Sequence, residues 1–250
     1  MLAGLLGALA IGLSLGLLGS GGSILTVPVL VYLFGQEEKV AIAGSLAVVG
    51  SIALAGAIPY AARRLIDWRN VLWFGLPGMA GTYLGAWIAN FLSGATQLAL
   101  FAAVMLLAAI MMLRPSPVVD KDDPERHPVK IVADGLGVGA LTGIVGVGGG
   151  FLIVPALVLL GGLGMQLAVG TSLVIIAMKS ASGFVKYLDV LDRLDLSLDW
   201  KVLGLVTACG IVGTFAGNAL SGRIPQSTLR RIFAIFLLHL FSIRFNFRFL

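Results

Sequence analysis

Two clusters of glycine, each followed by a proline, interrupt apolar stretches of the sequence. Residues 19–28 read GSGGSILTVP, and residues 146–155 read GVGGGFLIVP. A helix that begins at such a break aims unpaired N–H groups and about half a positive charge at whatever lies before it. This arrangement binds anions. The two motifs therefore predict one central anion site, to which we assign Gly21, Gly22, Ser23, Gly148, Gly149 and Gly150.

The cost of breaking a helix supports a binding site over simple helix packing. In hydrocarbon a free backbone N–H is expensive, so a broken helix persists only where protein or a water-lined cavity receives the freed groups. Pro28 and Pro155 are predicted in the first helical turn, where a missing N–H is harmless. The alternative is that the glycines only let helices pack closely. A nucleotide P-loop is excluded because no Gly-Lys-Ser/Thr follows either cluster.

Lys179 lies in the middle of the apolar run 166–187. A lysine at the centre of a membrane helix costs about 2.5 to 3.5 kcal/mol on insertion scales, so its presence predicts a function. Ser172, Lys179 and Gly183 follow at spacings of seven and four, which places them on one helical face. We predict that the Lys179 ammonium neutralises the bound anion. The alternative is that this side chain snorkels to the cytoplasmic interface.

Uncharged polar side chains within the predicted spans complete the candidate site: Ser45, Thr171, Ser172 and Asn218. Such side chains also hydrogen-bond helices to one another, and this use is the open alternative. Asp134 and His239 are the titratable candidates for proton coupling. The sequence contains no HExxH motif and a single cysteine, Cys209, so it predicts no metal site, no cofactor and no enzyme activity.

The composition is that of a membrane protein. Apolar residues make up 58% of the chain and charged residues 12%, with a mean hydropathy of +1.02, whereas globular domains carry about 25% charged residues. Apolar runs of roughly 17 to 25 residues, long enough to span a bilayer, occupy nearly the whole chain. The net charge of +5 comes from short basic loops, which positive-inside topology explains better than nucleic-acid binding. The lipid bilayer is therefore a predicted partner, and nucleic acid is not.

We predict an all-α integral membrane protein with about eight transmembrane helices in two homologous four-helix repeats. The first repeat covers residues 1–113, a polar linker covers 114–130, and the second repeat covers 131–250. The first and fifth apolar regions are too long for one straight helix, and they contain the glycine breaks. The predicted spans are about 2–34, 40–58, 71–91, 98–113, 131–160, 166–187, 202–220 and 229–243.

Internal repetition supports this division. A shift of 127 positions lays the first glycine motif on the second. Further aligned pairs are Ser45 with Ser172, Gly56 with Gly183, Tyr60 with Tyr187 and, after a five-residue insertion, Thr82 with Thr214. This agreement indicates a tandem duplication of a four-span unit. The basic loops favour parallel repeats. If each break instead turns the chain back, the unit has five segments and the repeats are inverted.

The chain resembles the sulfite exporter TauE/SafE family, also called the toluene sulfonate uptake permease family. The signatures are GLLGSGGS at 16–23 with Pro28, and GIVGVGGG at 143–150 with Pro155. The duplicated layout extends the resemblance to about Leu238. The resemblance implies a bacterial or archaeal inner-membrane carrier of sulfur-containing or organic anions such as sulfite, sulfonate, sulfoacetate or thiosulfate.

Two departures from the family pattern concern the first break and the C-terminus. Ser20 and Ser23 stand where the family favours a fuller glycine run, so the two breaks need not be equivalent, and the tail 243–250 is unlike a final span. The expected function is a secondary transporter that holds a small anion at broken-helix N-termini near the bilayer midplane. An anion channel and a non-transporting structural or receptor-like protein are the alternatives. Coupling to protons or another ion, and a homodimer, stay open.

Overall fold

The computed structural model describes residues 2–20, 22–89, 100, 103–104, 106–107, 110, 128–145, 150–193, 195–221, 223–225, 228, 231 and 235. Helices are the only regular secondary structure within these residues, so the predicted all-helical class is confirmed for them. In this part of the chain, the helices that are long and apolar enough to cross a membrane are Lys39–Ala62, Met165–Val185 and Trp200–Ser221. Ala3–Leu18 is a shorter apolar helix. The predicted spans near 98–113 and 229–243 fall mostly outside the described residues, so the number eight stays a prediction.

The described helices follow one another along the chain, and three of them are joined to π-helical turns. They are α1 (Leu2–Leu18), α2 (Gly22–Pro28) with a π turn (Val29–Leu33), α3 (Glu38–Ala62), α4 (Trp68–Asn70) with a π turn (Val71–Gly75), α5 (Leu76–Ala89), α6 (Pro128–Val145), α7 (Gly150–Pro155) with a π turn (Ala156–Leu160), α8 (Met165–Arg193) and α9 (Trp200–Ser221). Large apolar side chains such as Leu54, Ile58 and Val212 are exposed, as expected for a surface that contacts lipid.

The two motif prolines end short helices and do not begin them. Pro28 is the last residue of α2, and Pro155 is the last residue of α7. The prediction that they occupy the first turn is therefore wrong. A proline lacks an N–H, and its ring pushes away the carbonyl four residues earlier. In both copies the helix continues after the proline as a wider π turn.

The first glycine break turns the chain back along α1. Contacts between the two arms run in opposite order, as Gly4 with Phe34, Gly7 with Val29, and Ile11 with Gly22. Gly19 makes the reversal with a φ of +76°, a left-handed conformation that glycine adopts without steric cost. α1 and the segment 22–33 therefore form an antiparallel helical hairpin.

α3 and α8 pack against each other and also run in opposite directions. Their contacts pair Tyr60 with Gly170, Gly56 with Leu173, Gly50 with Ser180, and Leu46 with Gly183. The 127-residue shift equates these helices, since α3 begins at Glu38 and α8 at Met165. Equivalent helices of parallel repeats would run in the same direction. The prediction of parallel repeats is therefore wrong for this pair, because it counted crossings without letting the break reverse the chain.

Two helix pairs are in backbone contact through glycines. α1 packs on α9 and α6 packs on α5, so the predicted halves interlock. A Cβ would overlap a carbonyl of the partner helix at Gly12, Gly16, Gly213 and Gly217 in the first pair, and at Gly81, Gly85 and Gly139 in the second. Close approach of small residues is a common way for membrane helices to associate. The packing alternative therefore explains these glycines.

Candidate functional site

The first residues of α2 and α7 contact each other beside the middle of α8. A Cβ on Gly150 would lie 2.9 Å from Ser23 Oγ and 3.0 Å from Ile176 Cδ1. Both Ser23 and Gly150 are buried, and Gly22 packs against α1. Ile176 lies near the centre of the apolar stretch Met165–Val185. The structure thus brings together one predicted site residue from each glycine motif.

This contact places the positive ends of two helical segments side by side. The segments cover residues 22–33 and 150–160, each a short helix continued by its π turn. Each has unpaired N–H groups and about half a positive charge in its first turn. Two such ends repel each other in a dry interior, and an anion beside both removes that repulsion. The other predicted glycines, Gly21, Gly148 and Gly149, lie outside the described residues.

Lys179 is buried inside the protein, with 4% of its surface exposed. Its side chain packs directly against Gly78 in α5. A Cβ on Gly78 would lie 2.7 Å from Lys179 Cε and 2.9 Å from Lys179 Nζ. Nζ is 5.7 Å from the centre of the Phe74 ring, which is a cation–π distance. It has no hydrogen-bond partner among the described residues. The snorkelling alternative is therefore wrong, and Lys179 lies one helical turn from Ile176.

Long-range hydrogen bonds hold the end of α1 at the first break. The Tyr60 hydroxyl donates to the Gly16 carbonyl oxygen at 3.2 Å, and it lies 2.9 Å from Ser221 Oγ. The Ser172 hydroxyl donates to the Gly19 carbonyl oxygen at 3.1 Å. These bonds satisfy carbonyls that the end of a helix leaves without intrahelical partners. Sequence reasoning placed Ser172 in the site but missed Tyr60 and Ser221, although Tyr60 recurs in the predicted repeat.

Tyr60→Phe is expected to lower the free energy of unfolding by about 1 to 2 kcal/mol, because two buried hydrogen bonds are lost. Thermal unfolding of the purified protein in detergent measures the change. Tyr32→Phe is the matched control, since the Tyr32 side chain is exposed. Equal stability of the two variants would show that the Tyr60 hydroxyl does not hold the end of α1.

Thr171 and Ser45 form hydrogen bonds within the scaffold. The Thr171 hydroxyl accepts from the Asp67 N–H at 2.9 Å. Asp67 in turn caps α4 by accepting from the Asn70 N–H at 3.1 Å and from its side-chain amide at 2.7 Å. The Ser45 hydroxyl donates to the Ile42 carbonyl oxygen at 2.7 Å. These two predicted site residues thus fix a loop and a helix turn.

Asn218 is buried in α9, with 2% of its surface exposed, and it abuts Gly16 at the end of α1. Neither its Oδ1 nor its Nδ2 has a hydrogen-bond partner among the described residues, and the same holds for Ser20 Oγ and Thr214 Oγ1. Buried polar groups are nearly always hydrogen-bonded, so these side chains call for a further partner. Of the titratable candidates, Asp134 is half-buried in α6, and His239 lies outside the described residues.

Comparison with known proteins gives one family and several relatives. Residues 4–244 match the family described as sulfite exporter TauE/SafE. A probable membrane transporter protein of Xylella fastidiosa strain 9a5c is 33% identical over 232 residues, which are 90% of this chain and 87% of the relative. One from Methanocaldococcus jannaschii is 27% identical over 188 residues, 71% of this chain and 70% of the relative. One from Bacillus subtilis, YunE, is 25% identical over 248 residues, 89% of each chain. No solved structure matches.

Proposed function

Since the chain belongs to the sulfite exporter TauE/SafE family, a family of membrane transporters, we propose that it is a secondary transporter of small sulfur-containing or organic anions. It crosses the inner membrane several times, and its candidate substrates are sulfite, sulfonates, sulfoacetate and thiosulfate. The observation that carries the proposal is the contact between the starts of α2 and α7, where Ser23 lies beside Gly150.

In this proposal, backbone N–H groups from both breaks bind the anion. The donors belong to Gly21, Gly22 and Ser23 on one side, and to Gly148, Gly149 and Gly150 on the other. Hydrogen bonds from N–H groups to an ionised oxygen are roughly twice as strong as those between neutral groups, and glycine lets the anion approach the backbone closely. A site at the level of Ile176 lies near the bilayer midplane, as alternating access requires.

Lys179 supplies the full positive charge that the helix ends lack. Its ammonium is buried and without a hydrogen-bond partner among the described residues, and it stands one turn of α8 from Ile176, which touches Gly150. An unpaired ammonium in this position is costly. A bound anion offsets that cost and is itself stabilised, so Lys179 raises anion affinity.

We further propose that the chain is an inverted duplication. The π turns begin at Val29 and Ala156, which are 127 residues apart, and the shift of 127 also relates the first residues of α3 and α8. α3 and α8 are antiparallel, and the first break reverses the chain. Inverted repeats give a transporter two related conformations, one open to each side of the membrane.

Uptake into proteoliposomes tests the proposed function. Purified protein is reconstituted, and the initial rate of entry is measured for labelled sulfite, thiosulfate and an organic sulfonate. A carrier gives a saturable rate, and unlabelled substrate inside the vesicles accelerates entry of the label. Protein-free vesicles are the control.

Two outcomes would contradict the proposal. A flux that neither saturates nor responds to internal substrate indicates an anion channel. Absence of flux for all three anions, in vesicles that contain correctly folded protein, indicates the non-transporting alternative, in which the glycines serve assembly only.

A further inference from the structure

A group of buried polar side chains lies just after the end of α1 and on α9, the helix that packs against it. It consists of Ser20, Thr214 and Asn218, which are 0%, 0% and 2% exposed. Within the part of the chain that the structure describes, Ser20 Oγ, Thr214 Oγ1 and both amide atoms of Asn218 have no hydrogen-bond partner. Unsatisfied groups of this kind are uncommon in a native protein, because each buried polar group without a partner is costly.

Contacts with α1 and α3 show where Thr214 and Asn218 lie. A Cβ on Gly16 would be 2.9 Å from the Asn218 backbone nitrogen, and a Cβ on Gly56 would be 3.3 Å from Thr214 Oγ1. One turn further along α3 and two turns further along α9, Tyr60 meets Ser221. Residues 214, 218 and 221 share one face of α9. Asn218 therefore lies on the face of α9 that packs against the end of α1 and the last turns of α3.

The chemistry of the space beside the end of α1 favours a cation. The C-terminal end of a helix carries about half a negative charge on its carbonyl oxygens. The Gly16 and Gly19 carbonyl oxygens at this end each accept one side-chain hydrogen bond and keep a second lone pair. Ser20, Thr214 and Asn218 add three neutral oxygen atoms. Broken membrane helices bind sodium in this way, through half-helix C-terminal ends and unwound carbonyls.

We propose that this space binds one Na⁺ ion through Asn218 Oδ1, Ser20 Oγ, Thr214 Oγ1 and carbonyl oxygens at the end of α1, and that this ion drives anion transport. The inference rests on the proposed function, since it names the coupling ion of that carrier. Protein sites for Ca²⁺ and Mg²⁺ generally include at least one carboxylate, and these three side chains supply none. A proton requires a titratable carrier, and the one titratable side chain in these contacts, Tyr60, already hydrogen-bonds Gly16 and Ser221.

The sequence provides this set of side chains at the first break and not at the second. The predicted repeat places Val147 opposite Ser20 and Ala86 opposite Asn218, so the second break lacks both oxygen-bearing side chains. The counterpart of Thr214 is Thr82, whose hydroxyl donates to the Gly78 carbonyl oxygen at 2.7 Å. We therefore expect one coupling ion in each transport cycle.

The helical hairpin explains how the ion and the anion are coupled. Because the chain reverses at Gly19, the negative end of α1 and the positive start of α2 lie close together. A cation at the first and an anion at the second attract each other strongly in a medium of low dielectric. Each ligand then raises the affinity of the protein for the other by the same factor.

Sodium-dependent stability tests the site without transport. Unfolding of the purified protein is followed in NaCl, KCl and choline chloride at equal ionic strength. A sodium concentration one hundred times the Kd is expected to raise Tm by about 5 °C or more relative to choline. Asn218→Ala and Ser20→Ala should each abolish this rise, whereas Thr82→Ala, the matched control, should keep it. Equal Tm values in all three salts for the wild-type protein, or an equal rise in KCl, would overturn the sodium site.

An imposed sodium gradient tests the coupling in the proteoliposome assay. We expect inward NaCl to raise the initial anion uptake rate at least about tenfold over choline chloride, and Asn218→Ala to remove that increase. Anion uptake with the same rate in both salts would overturn the coupling and leave the carrier intact. A sodium-dependent Tm without any anion flux would support the site while contradicting the proposed function.

Discussion

Gly150→Val is expected to lower the initial rate of anion uptake by about 100-fold or more, because displacements near 1 Å at a working site cost that much. A Cβ at this position would lie 2.9 Å from Ser23 Oγ and 3.0 Å from Ile176 Cδ1, so the Ser23 and Ile176 side chains must shift where α2 and α7 begin. Valine also holds its methyl groups rigidly. The measurement is uptake of labelled sulfite or thiosulfate, scaled to the amount of folded protein.

Gly137→Val is the matched control for this substitution. Gly137 also lies within a helix, α6, and a Cβ there would have no neighbour within 4 Å. It should therefore retain most of the wild-type uptake rate, since valine meets no neighbour there and its helix propensity is no worse than that of glycine. A wild-type uptake rate for Gly150→Val would show that the contact between α2 and α7 is not part of the transport site.

Features that depend on local sequence were predictable. Apolar runs indicated helices, and glycines at 19–22 indicated a break after α1, because a helix interior disfavours glycine and a left-handed residue needs it. The position of Lys179 within an apolar run also predicted its burial. The first motif differs from the second at Ser20 and Ser23, and the sequence therefore predicted that the two breaks need not be equivalent. The structure gives that difference a physical meaning, since Ser20 is buried beside the end of α1.

Features that depend on distant parts of the chain were not predictable. Hydropathy is the same for a segment that continues across a membrane and for one that turns back. The antiparallel course of residues 22–33 was therefore found only from the contacts of Gly4 and Gly7 in the structure. Tyr60 and Ser221 are 161 positions apart, and nothing in either local sequence shows that they meet. The role of a polar side chain in a span is likewise set by its neighbours. Thr171 accepts a hydrogen bond from the Asp67 N–H, whereas the Asn218 amide has no partner among the described residues.

Lys179→Met is expected to weaken anion binding about 10- to 100-fold, which corresponds to the roughly 1.5 to 3 kcal/mol of a hydrogen bond to a charged group. Methionine keeps most of the apolar stem and removes the ammonium, so insertion should improve by up to about 3 kcal/mol. Half-saturation of uptake and binding competition measure the affinity. Lys201→Met, at an exposed position, is the control and should leave it unchanged. Lys179→Arg keeps the charge with a different shape and should give an intermediate affinity.

Gly78→Ala tests the same ammonium by displacing it. The added methyl would lie 2.7 Å from Lys179 Cε and 2.9 Å from Nζ, so the lysine must shift. If the position of this charge sets the affinity, Gly78→Ala weakens anion binding in the wild-type background and has little further effect beside Lys179→Met, since residues that act together are not additive. Fully additive losses would instead assign the effect of Gly78→Ala to the contact between α5 and α6. An affinity within about twofold of wild type for Lys179→Met, a difference of roughly 0.4 kcal/mol, would exclude Lys179 from the anion site.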